Sequence, residues 1–476
     1  MPMSQNVLIG VFVVILVIVG AVAYYAGKGA TTTVTTTITQ EKTVTATQTQ
    51  FVTVTGTPGP TTSPSPTTTP SPTIITQTVV VTTPVEFKGE VKVGALLPLN
   101  LPIGQLMLGA IQMAADEINA KGGVLGYKVI VVPYDTQWQA DKAAEGYKYL
   151  AQQGVKVVLG VFGSHEALAI MDLLALYQVP VIASGAVSDQ LDQMVLKNYD
   201  LYKYWFRAYV SATMQAAATW DLLAYISKTF NYTRYGWIYE DLPWVIPHAA
   251  YGQVRSQQEG MILAAAVGVK TDITSFADAF QKVLSNGSQI IVWQFSGTED
   301  YVFARDYYDM QVPLIALGGG SYAMLDQFYN QTGGKAEGLI CISWGFPAPF
   351  TPKTMEFYNK FKQTFKTDPI FTTWYAYDSL YIWANAVESA GTFDVEKVIP
   401  ILEKTVYVGA AGVYEFTQSH SAKLAPDRIY PVFFQWQSGQ RVVIWPLNVV
   451  APGTKLLVPK LEGGQRVWVE VPWPPK

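Results

Sequence analysis

The sequence contains a single cysteine, Cys341, so no disulfide can form within the chain and no thiolate cluster can hold a metal. One thiol does not fix the compartment, because exported proteins need not contain disulfides. Histidine is nearly as scarce. His165, His248 and His420 lie far apart, without the spacing of a metal site. Charged residues make up only 14% of the chain, the net charge is -4, and no basic tract occurs, which argues against nucleic acid as a partner. There is no glycine-rich nucleotide loop with its lysine and no dinucleotide fingerprint after the first strand. Ser164, His165 and Glu166 are adjacent, but neighbours on a helix point in different directions, and "GVFGSHEA" is not a Gly-x-Ser-x-Gly elbow. No constellation supports an enzyme, and no cofactor is expected.

What is present is uneven. Residues 7–25, "VLIGVFVVILVIVGAVAYY", carry no charge and would span roughly 28 Å as a helix at about 1.5 Å per residue. A cleaved signal would want a basic leader and a shorter apolar core. No Lys or Arg precedes Lys28, which favours a retained anchor, and no cysteine follows to take a lipid. Residues 30–84 are low in complexity, with "TTTVTTTITQ" and "TTSPSPTTTPSP". Such a segment buries too little to fold alone and reads as an extended stalk, glycosylated or bare. Sequons at Asn231, Asn286 and Asn330 agree weakly with an exterior location.

From Val91 the texture changes. "VKVGALLP" is an apolar run suited to a buried parallel strand. "GAIQMAADEINAKGG" follows as an amphipathic helix, with Ile111, Ala114, Ala115 and Ile118 on one face, Asp116, Glu117 and Lys121 toward water, and a glycine pair as terminator. "YKVIVVPYD", "VKVVLGVFG" and "VPVIAS" continue as strands, separated by the helices "ADKAAEGYKYLAQQG" and "HEALAIMDLLALYQ". A second series begins near Arg234 with "RYGWIYE", "GMILAAAVGV", "SQIIVWQF", "VPLIALG" and "AEGLICISW". Long helices follow after Trp344, and "RIYPVFFQWQ" and "QRVVIWPL", divided by "SGQ", predict a hairpin. Strand–helix alternation of this kind predicts α/β architecture, here two doubly wound, Rossmann-like lobes with a cleft at their strand ends.

The segments "KVGALLPL", "GAIQMAADEINAKGGVLGYKVIVVPYD", "VVLGVFGSHEALA", "WIYED", "AYDSLYIWANAVESAG" and "FFQWQSGQRVVIWP", in that order, resemble the type I extracytoplasmic solute-binding proteins. Within them the chain is most similar to the branched-chain amino-acid and amide receptors of ABC importers, and the match runs from Val91 to Pro446. The anchor and Thr-rich stalk resemble exported binding proteins of archaea. The resemblance implies a periplasmic-binding-protein fold whose lobes, joined by a multi-strand hinge, close on a small solute and present it to permease subunits in the membrane. It also implies an extracellular location and a monomer. Hinge crossings are expected near Arg207–Ser211, Trp344–Thr351 and either Gly391–Asp394 or Gly409–Ala411. The expected organisation is 1–29 as anchor or signal, 30–84 as stalk, 85–207 with 345–393 as one lobe, 208–344 with 394–448 as the other, and 449–476 as an extension that could form a hairpin.

Candidate ligand contacts lie where strands end. Ser164 begins a helix, where free N–H groups and the helix dipole can receive a carboxylate. The resemblance assigns the amino-acid carboxylate to this position, although an N-cap serine would look the same. Ser184 and Gly185 follow the fourth strand and match a second carboxylate position, with a plain turn as the rival. Leu99, Ile103 and Gly104 follow the first strand in "LNLPIGQ", more apolar than the family pattern. Trp138 could line a wall or pack between lobes. Trp244 stands where relatives carry a small or tyrosine-containing motif, and an aromatic there can close over a solute. Phe295 and Ser296 end "IIVWQFSG", and Glu299 close by could accept from an ammonium or simply start a helix. Asp378 reads as architecture. The competing functions are a ligand-sensing receptor ectodomain, a sugar or nucleoside receptor, and a structural surface protein. The last would leave paired lobes unexplained.

Overall fold

β1, Glu90–Leu97, alternates exposed and buried at its start and is then continuously buried, as a strand covered on both faces must be. It pairs in parallel with β2, Lys128–Asp135, and with β3, Val158–Gly160. β4, Val181–Ala183, and β5, Trp205–Arg207, complete a parallel sheet of order β2-β1-β3-β4-β5. The chain is seen as a computed structural model, which describes residues 86–475. The expected anchor at 7–25 and stalk at 30–84 lie outside the described residues. Among the described residues no helix is long and apolar enough to cross a membrane.

The helix after β1 spans Pro102–Ala120 and starts earlier than its sequence periodicity suggested. Proline is tolerated in a first helical turn, where its missing N–H costs nothing. Ile103 and Gly104, expected in a strand-end loop, therefore sit buried in that turn. A Cβ at Gly104 would fall 2.1 Å from Pro98 O, so only glycine fits. Glu117 does not face water alone. It accepts from the hydroxyls of Tyr377 at 2.5 Å and Tyr381 at 2.7 Å, on the helix Phe371–Ala390 that packs along Pro102–Ala120. The helix expected over 165–178 is two helices, Ser164–Met171 and Leu174–Tyr177.

The second sheet repeats the winding. β6 (Arg234–Glu240), β7 (Ile262–Val269), β8 (Ile290–Gln294), β9 (Ile315–Gly319) and β10 (Ile340–Ser343) are parallel. β11 (Val406–Val408) and β12 (Val413–Glu415) form a separate hairpin. β13 (Val432–Gln437) and β14 (Gln440–Trp445) extend the second sheet antiparallel, giving β14-β13-β10-β9-β8-β6-β7. Ser438 and Gly439 between them have φ of 49° and 81°, the paired positive values of a tight hairpin turn. The helix Ala212–Phe230, not assigned from the sequence, packs beside the helix Ile246–Glu259.

Three segments join the sheets. One runs from Arg207 at the end of β5 to Ser211, which caps Ala212–Phe230. One leaves β10 through Trp344, and Thr351 Oγ1 on it donates to Gly409 O at 2.6 Å. The third leads from Ala422, whose N–H reaches Arg207 O at 2.9 Å, to Val432 at the start of β13. Both positions expected for this crossing lie before it: Gly391 ends the helix Phe371–Ala390, the helix after it, Val395–Leu402, packs back on that helix, and Gly409–Ala411 lies in the turn between β11 and β12. Asp378, fully buried, accepts from Ala410 N, Ala411 N and Tyr414 Oη at 2.8–2.9 Å, fixing the β11–β12 hairpin to Phe371–Ala390.

The C-terminal residues form a further hairpin, β15 (Lys455–Glu462) with β16 (Gln465–Pro472). Gln435 of β13 holds it, accepting from Leu457 N and donating to Leu457 O, both at 2.8 Å.

Candidate functional site

A cavity opens where the C-terminal ends of both sheets face each other, with about 120 Å³ open to the centre of a water-sized sphere. This is the place where open α/β sheets bind ligands, because loops and helix starts converge there. From the first sheet come Trp138 after β2, Phe162 to His165 after β3, and Gly185 to Val187 after β4. From the second come Leu242, Trp244 and His248 after β6, Gln294 to Ser296 at the end of β8, and Gly319 to Ser321 at the end of β9. Tyr209 and Trp344 enter from two of the joining segments, and Phe371 from the start of its long helix. Aromatic rings dominate the lining, and among the described residues no Asp, Glu, Lys or Arg contributes to it.

Six of the eleven residues singled out in the sequence meet here: Ser164, Gly185, Trp138, Trp244, Phe295 and Ser296. Leu99, Ile103, Gly104, Ser184 and Glu299 lie apart from the lining. Ile103 is 5% exposed in the core. Ser184 is fully buried, its hydroxyl 3.3 Å from that of Ser379. Glu299 is 2% exposed at the first turn of the helix Glu299–Asp309. Burial pushes its carboxyl up to about 7, with the nearby Glu240 charge adding to the shift. Among the lining residues that the sequence reading left out, Tyr209 comes from a joining segment, His248 from the first turn of Ile246–Glu259 and Phe371 from a distant helix start. Strand-end patterns do not mark such positions.

The first-lobe wall is built on short loops. Glu166 folds back onto Gly163 N at 2.8 Å and opens the helix Ser164–Met171, whose first N–H groups have no acceptor within the helix. Ser164 Oγ accepts from Ser188 N at 3.0 Å, tying the β3 loop to the β4 loop. His165 Nε2 lies 3.2 Å from Trp138 O, so that nitrogen carries a proton and donates. The Trp138 ring packs 4.9 Å from Phe162. Behind the wall, Arg207 is fully buried. Its guanidinium donates to Ala186 O at 2.8 Å and Ser188 O at 3.2 Å, and pairs with Asp192.

The second-lobe wall uses acids. Glu240, fully buried at the end of β6, accepts from Trp244 Nε1 and from Ser296 N at 3.0 Å, and burial raises its pKa. Asp300 accepts from Tyr322 N and Ala323 N, each at 2.9 Å, and burial raises it well above the usual carboxylate range. A Cβ on Gly320 would lie 1.7 Å from Asp300 Oδ1, which reserves that lining position for glycine.

This two-lobed α/β form, with a cavity at facing strand ends, defines a solute receptor of the periplasmic-binding class. Residues 90–434 match the model of the family described as periplasmic binding protein, and the chain belongs to that family. It is similar to the Leu/Ile/Val-binding protein homolog 8 of Brucella melitensis, 22% identical over 383 residues, covering 75% of this chain and 91% of that protein. Its fold is similar to that of the branched-chain amino acid transporter substrate binding protein LivJ from Streptococcus pneumoniae, solved with isoleucine. There the TM-score is 0.65 and the identity 20%, over 75% of this chain and 100% of the other. A solute binding protein of an ABC transporter from R. palustris, solved with benzoate, superposes with a TM-score of 0.62 at 15% identity, over 82% of this chain and 98% of the other.

Proposed function

We propose that the chain captures a small, largely apolar solute, an amino acid or amide, between its lobes and delivers it to the permease of an ABC importer. As a periplasmic binding protein it acts outside the cytoplasm and breaks no bond in its ligand. The aromatic cavity at the joined strand ends carries the reading, because aromatic walls hold an apolar body while a few polar groups set its orientation. In this reading Ser164 and the N–H groups at the start of its helix receive the solute's oxygen atoms. Gly185, Trp138, Trp244 and Phe295 shape the walls. Ile103, Ser184 and Glu299 support the site from behind. The relatives' names, Leu/Ile/Val-binding protein and branched-chain amino acid transporter, point to the same solute class.

Residues 7–25 hold the protein at the membrane in this proposal, and residues 30–84 keep the lobes clear of its surface; their composition supports both roles. Mass analysis of the mature N-terminus tests the anchor, and cleavage after the apolar run would remove it.

A thermal-shift screen of amino acids, amides, sugars and nucleosides tests the solute class, since a ligand of the folded state raises Tm by mass action. Stabilisation by sugars or nucleosides alone would overturn it. Ser164→Ala should weaken the stabilising solute by about tenfold, the worth of one hydrogen bond to a charged or strongly polar group.

A further inference from the structure

The second-lobe wall holds an indole, an amide and an imidazole in series. Trp237 Nε1 donates to Gln294 Oε1 at 2.9 Å. An indole N–H is only a donor, so it fixes which end of the Gln294 amide is oxygen. Gln294 Nε2 then faces His248 Nδ1, and an amide nitrogen can only donate. Nδ1 must be the acceptor, and the ring proton lies on Nε2. Trp237 and Gln294 are each 4% exposed and His248 is 1% exposed, so water does not compete for this order. Among the described residues His248 Nε2 has no hydrogen-bond partner, although the ring lines the cavity beside Trp244, centroids 5.3 Å apart.

This donor is buried and unpaired at the cavity wall, and a buried polar group without a partner calls for an explanation. Burial pulls the His248 pKa down to about 3, so the ring is neutral at physiological pH and offers its proton as a dipole. Glu240, behind this wall, already accepts from Trp244 and from Ser296 N. Among the described residues the second-lobe lining offers a guest this donor and no carboxylate.

We propose that His248 Nε2–H donates to a carbonyl-type oxygen of the solute, either amide or carboxylate, and that the polar end meeting the second lobe is therefore an acceptor and not an ammonium. This rests on the solute-capture reading above and narrows it. Trp237 and Gln294 are positioning residues, holding the tautomer through the ring nitrogen that faces away from the solute.

The test uses the full-length protein and four probes of similar apolar bodies: leucine, isocaproamide, isocaproate and isoamylamine, which carries an ammonium and no carbonyl. Calorimetric titration of wild type should show binding of carbonyl-bearing probes and none of isoamylamine. His248→Phe removes the donor and should weaken those probes by about tenfold or more, while His248→Gln, which restores an N–H near the Nε2 position, should recover most of the loss. Unliganded Tm of each variant separates loss of folding from loss of contact. If His248→Phe folds poorly, Gln294→Glu, which places an acceptor against Nδ1 and turns the ring proton toward itself, should give the same selective loss. Unchanged affinity for a probe that wild type binds, in a variant that folds, overturns the role of His248. Tight binding of isoamylamine overturns the acceptor assignment. If wild type binds none of the four but takes a sugar or nucleoside, the solute-capture reading for amino acids and amides falls, and this inference with it.

Discussion

The two walls of the cavity are braced by groups of opposite kind. Behind the first lobe stands a cation, Arg207, which grips its loop by the carbonyls of Ala186 and Ser188. Behind the second stand carboxyls, Glu240 and Asp300, which grip their loops by the N–H groups of Ser296, Tyr322 and Ala323. The first-wall loop is also tied by its N–H groups, Ala186 N to Phe162 O and Ser188 N to Ser164 Oγ, so what that wall turns to a guest is the helix start at Ser164. The braces also differ in what they can do when disturbed. A guanidinium stays charged and needs its partners, while a buried carboxyl can take up a proton and become neutral.

The largest effect should come from Arg207→Ala. It strands the Asp192 carboxylate and releases two loop carbonyls, at a cost of about 3–5 kcal/mol in denaturant melts. A loss below about 1 kcal/mol would show that the cation is not the brace. Next is Gly320→Ala, where the new methyl must displace Asp300. We expect about 1–3 kcal/mol of destabilisation together with weaker solute binding, since the same loop lines the cavity. Full stability would mean that the β9 loop is not fixed by Asp300.

Glu299→Gln probes protonation. The folded carboxyl titrates near 7 and its ordinary value is 4.5, so the folded state holds the proton more tightly than the unfolded state. The penalty of the buried charge is therefore full above pH 7, relieved as pH falls, and absent below 4.5. The glutamine variant should be more stable than wild type by about 1–2 kcal/mol at pH 8 and nearly equal at pH 4. An equal gain at both values would assign the effect to packing. The last comparison is Glu240→Gln, which keeps one oxygen acceptor of the two and turns an amide N–H2 against the other donor: a loss of about 1–2 kcal/mol. A loss as large as that of Arg207→Ala would erase the contrast between the walls.

The strands were the most legible part of the sequence. β1, β2 and β8 are short apolar runs bounded by turn residues, and each appears where its pattern places it. The helix Ala212–Phe230 was not legible in the same way, because its buried residues, from Ala216 to Ser227, occupy most of its circumference and blur a single apolar face. In the site, topology did the informing. Ser164, Gly185, Trp138, Trp244 and Phe295 all follow strands, and the ends of parallel strands converge. Ile103 was misplaced because Pro102 lets the helix start early. Glu299 could accept from an ammonium or start a helix on sequence grounds, and its side chain is buried at its own helix start. His248 gave no local signal. Its significance comes from Gln294 and Trp237, which are distant in the chain and meet it only through the sheet.

The long helix Phe371–Ala390 packs along Pro102–Ala120 and covers the side that carries Glu117, although some 250 residues separate the two in the sequence. The first sheet has all its strands once Arg207 has been synthesised, yet the side of its first helix that carries Glu117 stays bare until the later segment emerges. The nascent chain must therefore carry an unfinished half for most of its synthesis, and any export machinery that accepts only unfolded polypeptide has a long interval in which to engage it.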